Sequence, residues 1–466
     1  MEGKTKTDQR SSPIPGIPDD YLNWEDSRTK RQLLCVDRWK TKTRCRGTLQ
    51  AFVGCGKTAM GIFAIRRVLN AMPEAHILVV VPSSPVGKQW KREIVKCTSP
   101  FENVEVITVD KAAKNYKDIP KVDLLVIDEI HQIPTPKRVS CLKIQYRMIL
   151  GLTATYERLD GKHAIIDRVA PIADSITLAE GIRNGWTSKQ KVYVIMCDIE
   201  DRNEYNAMTN KFKDLFAWFS YDFDMPFKVL GNPDSRDFFI NDKVVPELQL
   251  LEGWDDDFVR MNKKRVLSSA YKIAMSNSSS FIRTMTNRKN FIYHHPKKKE
   301  VANRILEAKK GQKGITFWST IEDCMDIKHG KPYASPAQDN DFTEKGNRET
   351  LDWFFSTPGA VINTVRALNI GFDCPEITFG VIAGFNSSKT DSMQRRGRVV
   401  RINKFFADKS AELYYVVIQG TVDEHWAAKA LSDTEYVLLS EDDLDAFLSG
   451  KPVDFMEGKL KSGGRY

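Results

Sequence analysis

The chain has no apolar run near the roughly 18 consecutive residues that a membrane-spanning helix requires, and its opening MEGKTKTDQRSSPIPG is polar where a secretory signal would be apolar. These absences exclude membrane and secreted classes and lead to the expectation of a soluble, cytoplasmic protein without a membrane partner. Cysteine is sparse: eight residues lie far apart, with no CxxC pair and no Cys/His cluster able to offer tetrahedral ligands to zinc. They read as reduced thiols. No internal repeat, extended low-complexity tract or nuclease motif is present, and charge is not strongly one-signed. A formal +9 over 466 residues favours a polyanionic partner and suits an ordinary enzyme equally well.

What is present is enough apolar residue, 41% of the chain, to give two or three domains a core. Two stretches alternate strand-like and helix-like patterns in the way of a parallel sheet flanked by helices. The first runs from about Thr48 to Thr155, with strand-like runs such as Ile77 to Val81 and Leu124 to Ile127; the second runs from about Phe291 to Ile418. Residues 186–288 differ in character, with a strand expected at Lys191 to Met196, an amphipathic helix near Glu204 to Phe219, and an acidic, aromatic and irregular stretch from Asp222 to Asp257. The Ser276 to Ser280 run and the basic HHPKKK at 294–299 read as solvated linker or surface, with nucleic-acid contact as the alternative. The expected fold class is α/β, with domains at 1–185 and 289–440, a connecting accessory insertion at 186–288 and a tail at 441–466.

Chemistry enters at Ala51-Phe-Val-Gly54-Cys55-Gly56-Lys57-Thr58, which follows an apolar strand and opens a helix, the context a phosphate-binding loop needs. Glycines there let backbone amides face a β-phosphate, and the helix N-terminus adds a favourable dipole. Lys57 reaches the β- and γ-phosphates in this reading, and Thr58 offers its hydroxyl to Mg²⁺; position 51 is Ala where the general form of the motif has Gly. Leu124-Leu-Val-Ile-Asp128-Glu129-Ile-His131 ends a buried strand in two carboxylates. Alone, such a pair describes a solvated turn. With the phosphate loop upstream, Asp128 reads as the Mg²⁺ ligand and Glu129 as the base or positioner of the attacking water, while His131 carries contact from the nucleotide to the rest of the machine.

In this order the segments resemble a superfamily 2 helicase: DEIH is a variant of that group's DExH box, and Thr153-Ala-Thr155 is similar to the motif coupling ATP hydrolysis to movement. The continuation Arg158-Leu-Asp160-Gly161 resembles the XPB-like helicases and the UvsW-type phage recombination helicases. The resemblance implies two RecA-like domains in tandem, ATP and Mg²⁺ as cofactors, and a phage or other viral origin. It also implies adenine recognition by Gln32, although the usual Arg-x-x-Gln is altered, with Thr29 and with Arg31 directly before the glutamine. Pro82 and Ser83, with Gln89-Trp90, resemble the motif gripping the backbone of the tracked strand; Thr108 and Thr364 sit where further backbone contacts are expected. Trp90 is equally readable as helix core. Asn369-Ile-Gly371-Phe-Asp373 resembles the element that senses nucleotide, a plain turn being the alternative.

Gln394-Arg395-Arg396-Gly397-Arg398-Val-Val-Arg401 matches Q-x-x-G-R-x-x-R. Arg398 and Arg401 are one helical turn apart and point the same way, which suits two guanidinium groups meeting a γ-phosphate across a cleft. Arg395 and Arg396 are expected to be exposed. The expected function is an ATP-dependent DNA helicase or translocase acting on forked, branched or partly single-stranded duplex DNA, with RNA a less favoured partner. The resemblance also implies that the N-terminal DNA-binding domain many relatives carry is missing, which leaves junction recognition to 186–288, where Trp218, Phe219 and Trp254 are candidates for a wedge or for core. A DExH-type RNA helicase and a non-unwinding, ATP-gated nucleic-acid clamp are the alternatives.

Overall fold

Ile77-Leu-Val-Val-Val81 is apolar at every position, the mark of a strand covered on both faces, and all five residues are buried. Sheets of such strands organise the protein, whose structure, a computed structural model, describes residues 11–97, 103–156, 161–336, 340–365, 374, 376–385, 392, 395–397, 399, 410–432 and 434–461. The first sheet comprises β1 (Arg46–Ala51), β2 (Ile77–Val81), β3 (Val104–Thr108), β4 (Val122–Asp128), β5 (Tyr146–Thr153) and β6 (Ile172–Ile176), in the order β3-β2-β4-β5-β1-β6. All its pairings are parallel, so the segments following each strand emerge along one edge. That edge is where open α/β sheets bind ligands. Helices α1 (Ser27–Lys42), α2 (Lys57–Ala71) and α3 (Ser84–Cys97) flank it.

The second sheet is also parallel throughout. It contains β7 (Lys189–Cys197), β8 (Gly314–Phe317), β9 (Lys331–Tyr333), β10 (Val361–Thr364), β11 (Phe379–Ile382), β12 (Ser410–Ile418) and β13 (Val437–Ser440), in the order β13-β7-β12-β11-β8-β10-β9. Two parallel-sheet α/β domains of the RecA-like kind therefore lie in tandem.

The strand expected at Lys191 to Met196 inside the insertion is β7, which pairs with β12 from Lys189↔Ser410 to Cys197↔Ile418. Sequence order hides this crossover, because the partner lies beyond the whole insertion. Residues 222–257 are not irregular: they include short helices at Met225–Gly231, Pro233–Phe239 and Val245–Glu252. These pack on a 31-residue helix, Lys263–Tyr293, about 46 Å long at helical rise. Phe212, Phe216, Phe219, Phe239 and Phe281 form the core of this helical module. Phe219 is buried there, stacked on Phe239, and Trp218 packs edge-on against both rings. Trp254 lies on Phe258.

Two further expectations change. Ser276 to Ser280 lies mid-helix, with Ser278 buried on the face that also carries Ala270, Ala274 and Phe281. Spacings of three and four bring these residues onto one side. The HHPKKK segment is the start of helix Pro296–Ala308 and is anchored inward. His294 meets Asp323 and His295 meets Asp201, each at 3.1 Å, while Lys297 meets Glu441 at 2.9 Å. Lys298 is fully buried against Asp423 at 2.8 Å, with its ammonium also donating to the Ala383 carbonyl. All eight cysteines are free thiols, and among the described residues no helix is long and apolar enough to cross a membrane.

Candidate active site

Five segments with candidate chemistry follow five parallel strands along one edge of the first sheet. The phosphate loop follows β1, Pro82 and Ser83 follow β2, Thr108 closes β3, Asp128 closes β4 and Thr153 closes β5. Gly54 and Gly56 have φ of +92° and +90°, a left-handed geometry that turns the chain before α2. A Cβ on Gly56 would collide with the Gln32 amide, so glycine there lets α1 approach the loop. Gln32 is buried and its Nε2 donates to the Cys55 carbonyl, while its Oε1 has no hydrogen-bond partner among the described residues. A buried acceptor without a partner is costly, and beside the phosphate loop it suits an adenine amino group. Cys55 is buried too; burial pushes its thiol up to about 12, so it is neutral packing.

Lys57 Nζ lies 3.4 Å from Glu129 Oε1, and His131 Nδ1 lies 3.3 Å from Glu129 Oε2. Burial alone would raise the Glu129 carboxyl; the Lys57 ammonium and His131 outweigh it and hold the group well below the usual carboxylate range. Asp128 goes the other way, raised by burial and by the Glu129 charge, with Lys57 and the Trp90 N–H opposing. Glu129 itself has φ +52°, unusual for a residue with a side chain, which turns its carboxylate back toward Lys57. Its Oε2 is buried against the His131 ring nitrogen at 3.3 Å, and a carboxylate oxygen keeps a second lone pair that can accept from a water.

From His131 the contact continues. His131 Nδ1 and Thr153 Oγ1 are 2.9 Å apart, and the Thr153 hydroxyl donates to the Thr155 carbonyl at 2.5 Å. With its one proton given to that carbonyl, the Thr153 oxygen accepts from His131 Nδ1–H and from the Thr155 N–H. One connected path thus runs from Lys57 through Glu129, His131 and Thr153 to Thr155. The residues suit Mg²⁺ held by Thr58 and Asp128, since this ion needs only one or two protein groups beside phosphates and water. Among the described residues no cluster of three or more His, Cys, Asp or Glu side chains is placed to hold a metal.

Of the remaining candidates, Gln89 is exposed on α3, Pro82 and Ser83 are half-buried, and Thr108 caps the helix Val109–Lys114 by accepting from Lys111 N. Thr364 closes β10 and is buried; its neighbour Asn363 accepts from Thr316 Oγ1 and donates to the His329 carbonyl. Gly371, Asp373, Gln394, Arg398 and Arg401, with Arg158 and Asp160, lie outside the described residues. Arg395 and Arg396 are buried, contrary to expectation: Arg395 donates to the Gly384 carbonyl and sits over the Phe317 ring, and Arg396 donates to Thr434. Gly397 faces the first lobe, and a Cβ there would come within 2.5 Å of the Val53 Cβ in the phosphate loop. Gly397 therefore lies directly against that loop.

Sequence reasoning missed three pairings. Trp90 Nε1 donates to Asp128 Oδ2 at 2.9 Å. Arg31, read only as a motif departure, joins Asp174 at 2.6 Å and Glu180 at 2.8 Å. The Lys298–Asp423 pair is the third, and no local pattern announces partners so far apart in the chain.

Two family models match the chain: the type III restriction enzyme res subunit over residues 23–158 and the helicase conserved C-terminal domain over residues 297–403. Among curated proteins, the chain is 26% identical over 397 residues to the DNA 3'-5' translocase XPB2 of Sulfurisphaera tokodaii, covering 81% of this chain and 79% of that protein. It is 27% identical over 174 residues to the DNA 3'-5' helicase XPB of Mycobacterium tuberculosis, covering 32% and 31% of the two chains. Among solved structures, a point variant of S. cerevisiae Dbp5 bound to RNA and ADP BeF3 superposes with a TM-score of 0.51 at 12% identity, covering 90% of this chain and 92% of that one, a likeness of fold.

Proposed function

The chain belongs to the superfamily 2 helicases, is XPB-like and is an ATP-hydrolysing enzyme, and from this premise we propose that it drives itself along DNA in the 3′–5′ sense and separates or remodels strands at forks and junctions. The observation that carries the reading is the buried path from Lys57 through Glu129 and His131 to Thr153 and Thr155. A site that only bound nucleotide would need no such link from its water-facing carboxylate to the end of the next strand.

In this mechanism the phosphate loop and Lys57 orient the nucleotide, and Gln32 reads its adenine. Mg²⁺, when bound through Thr58 and Asp128, neutralises charge developing on the phosphates. Glu129, kept ionised by Lys57 and His131, positions the attacking water through its carboxylate. Arg398 and Arg401 are assigned to the γ-phosphate from the second lobe, with Gln394, Gly371 and Asp373 as their supporting contacts; the packing of Gly397 on Val53 supports that direction of approach. His131, Thr153 and Thr155 pass the change on hydrolysis to the lobe interface. Pro82, Ser83, Gln89 and Thr108 on the first lobe, and Thr364 on the second, are assigned to the sugar-phosphate backbone, which is bound without regard to base sequence. Similarity to the archaeal DNA 3'-5' translocase and the mycobacterial DNA 3'-5' helicase supports DNA and the 3′–5′ sense.

The test is Mg²⁺-dependent ATP hydrolysis by the purified chain with fork, four-way junction, duplex, single-stranded DNA and RNA, alongside Glu129→Gln. Strong stimulation by branched DNA is expected, with turnover about 10²-fold lower or worse in the variant. Preference for RNA would overturn the DNA assignment, and turnover indifferent to every nucleic acid would overturn the motor.

A further inference from the structure

Helix α3 has two unlike faces. Outward it exposes Lys88, Gln89, Lys91 and Arg92, and Lys88, Lys91 and Arg92 form no ion pair among the described residues. Inward it carries Trp90, which is fully buried and whose indole N–H donates to Asp128 Oδ2 at 2.9 Å. The ring has no room to swing. A Cβ on Gly61, one turn into the helix that starts at the phosphate loop, would collide with its edge, and Leu152 of β5 lies beside the same spot. An indole packed this tightly moves only as its helix moves.

We propose that Trp90 is a positioning residue joining the strand-gripping surface of α3 to the metal-side carboxylate, so that engagement of a nucleic-acid backbone by α3 sets the orientation of Asp128. This rests on the motor reading above. Trp90 is buried beneath the surface that would meet a strand. It acts through Asp128, whose other oxygen accepts from the Glu129 N–H at 3.0 Å, so a shift of the indole also reaches the water-positioning residue. The path is separate from the one through His131 and runs the opposite way, from the strand toward the nucleotide. Core packing alone explains a buried tryptophan; it does not explain its donor being spent on a metal-binding carboxylate.

The experiment uses the full chain and two binding readouts: affinity for a fluorescent ADP with and without Mg²⁺, and affinity for a single-stranded oligonucleotide with and without nucleotide. A hydrogen bond to an ionised group corresponds to roughly a tenfold change or more in an equilibrium, so Trp90→Phe should cut the Mg²⁺-dependent gain in ADP affinity about tenfold while leaving Mg²⁺-free binding near wild type. It should also flatten the response of DNA affinity to nucleotide. Gly61→Ala, which keeps the indole but displaces it, should move both readouts in the same direction, and it decides the matter if Trp90→Phe does not fold. Equal loss of ADP affinity with and without Mg²⁺ would mean that Trp90 is packing only and would overturn the proposal, as would wild-type values in both variants. If the wild-type chain binds no DNA, the motor reading fails; the Mg²⁺ arm still tests the link between Trp90 and Asp128.

Discussion

At the scale of single residues, charges do the local construction around the site. Asp174 on β6 accepts from Arg31 and Arg38 of α1 at 2.6 and 2.8 Å and is nearly covered. Burial alone would raise its carboxyl, but the hydrogen bonds from Arg31 and Arg38 prevail and lower it. The folded chain therefore keeps Asp174 ionised at a lower pH than the unfolded chain does. The stability this provides is present above the unfolded value of about 3.9 and is lost as pH falls through the folded value. Asp174→Asn should lower the melting temperature at pH 7 and approach wild type below about pH 4; a constant gap across that range would contradict the assignment. The same contacts explain why Arg31 precedes Gln32 where the family motif differs. It ties α1 to β6 and Glu180, and so helps place Gln32 against the phosphate loop.

At the scale of elements, what could be read in advance depended on how local the cause was. The phosphate loop, the DEIH strand end and the continuous apolar strands were legible because strand, turn and helix dipole act over a few adjacent residues. The strand β7 was legible, but its place in the second sheet and the inward anchoring of the basic HHPKKK segment were not, because their partners are distant: β12 in one case, Asp423 and Glu441 in the other. The serine run follows the same rule, since its place on a long helix is set by aromatic packing on one face and not by its own composition. Lys298 shows the energetic side. Removing one partner of a buried ion pair costs about 3–5 kcal/mol, whereas replacing both by apolar groups is often neutral. Lys298→Met should destabilise the chain by that amount in denaturant unfolding, and Lys298→Met with Asp423→Leu should recover most of it; a harmless single variant would contradict the burial of the pair.

At the scale of the whole molecule, the two RecA-like domains meet where a glycine faces a valine. The 2.5 Å approach of a Gly397 Cβ to Val53 means that any larger side chain must push the second lobe off the phosphate loop. Gly397→Val should reduce kcat for ATP by about tenfold or more, because the arginines assigned to the γ-phosphate are held back, with little change in ADP binding to the first lobe. A kcat equal to wild type would contradict closure at this contact. Here too the sequence was partly legible: Q-x-x-G-R-x-x-R marked the segment, while burial of Arg395 and Arg396 against the second lobe's own carbonyl and hydroxyl groups could not be seen without the fold around them.

The central claim is that hydrolysis at the Lys57–Glu129 site drives movement along DNA. The most direct measurement is ATP-dependent displacement of streptavidin from single-stranded DNA biotinylated at either end. Faster displacement from the 5′ end, abolished by Glu129→Gln although that variant still binds DNA, is the expected result. Displacement from neither end, with ATP hydrolysed all the same, would contradict it.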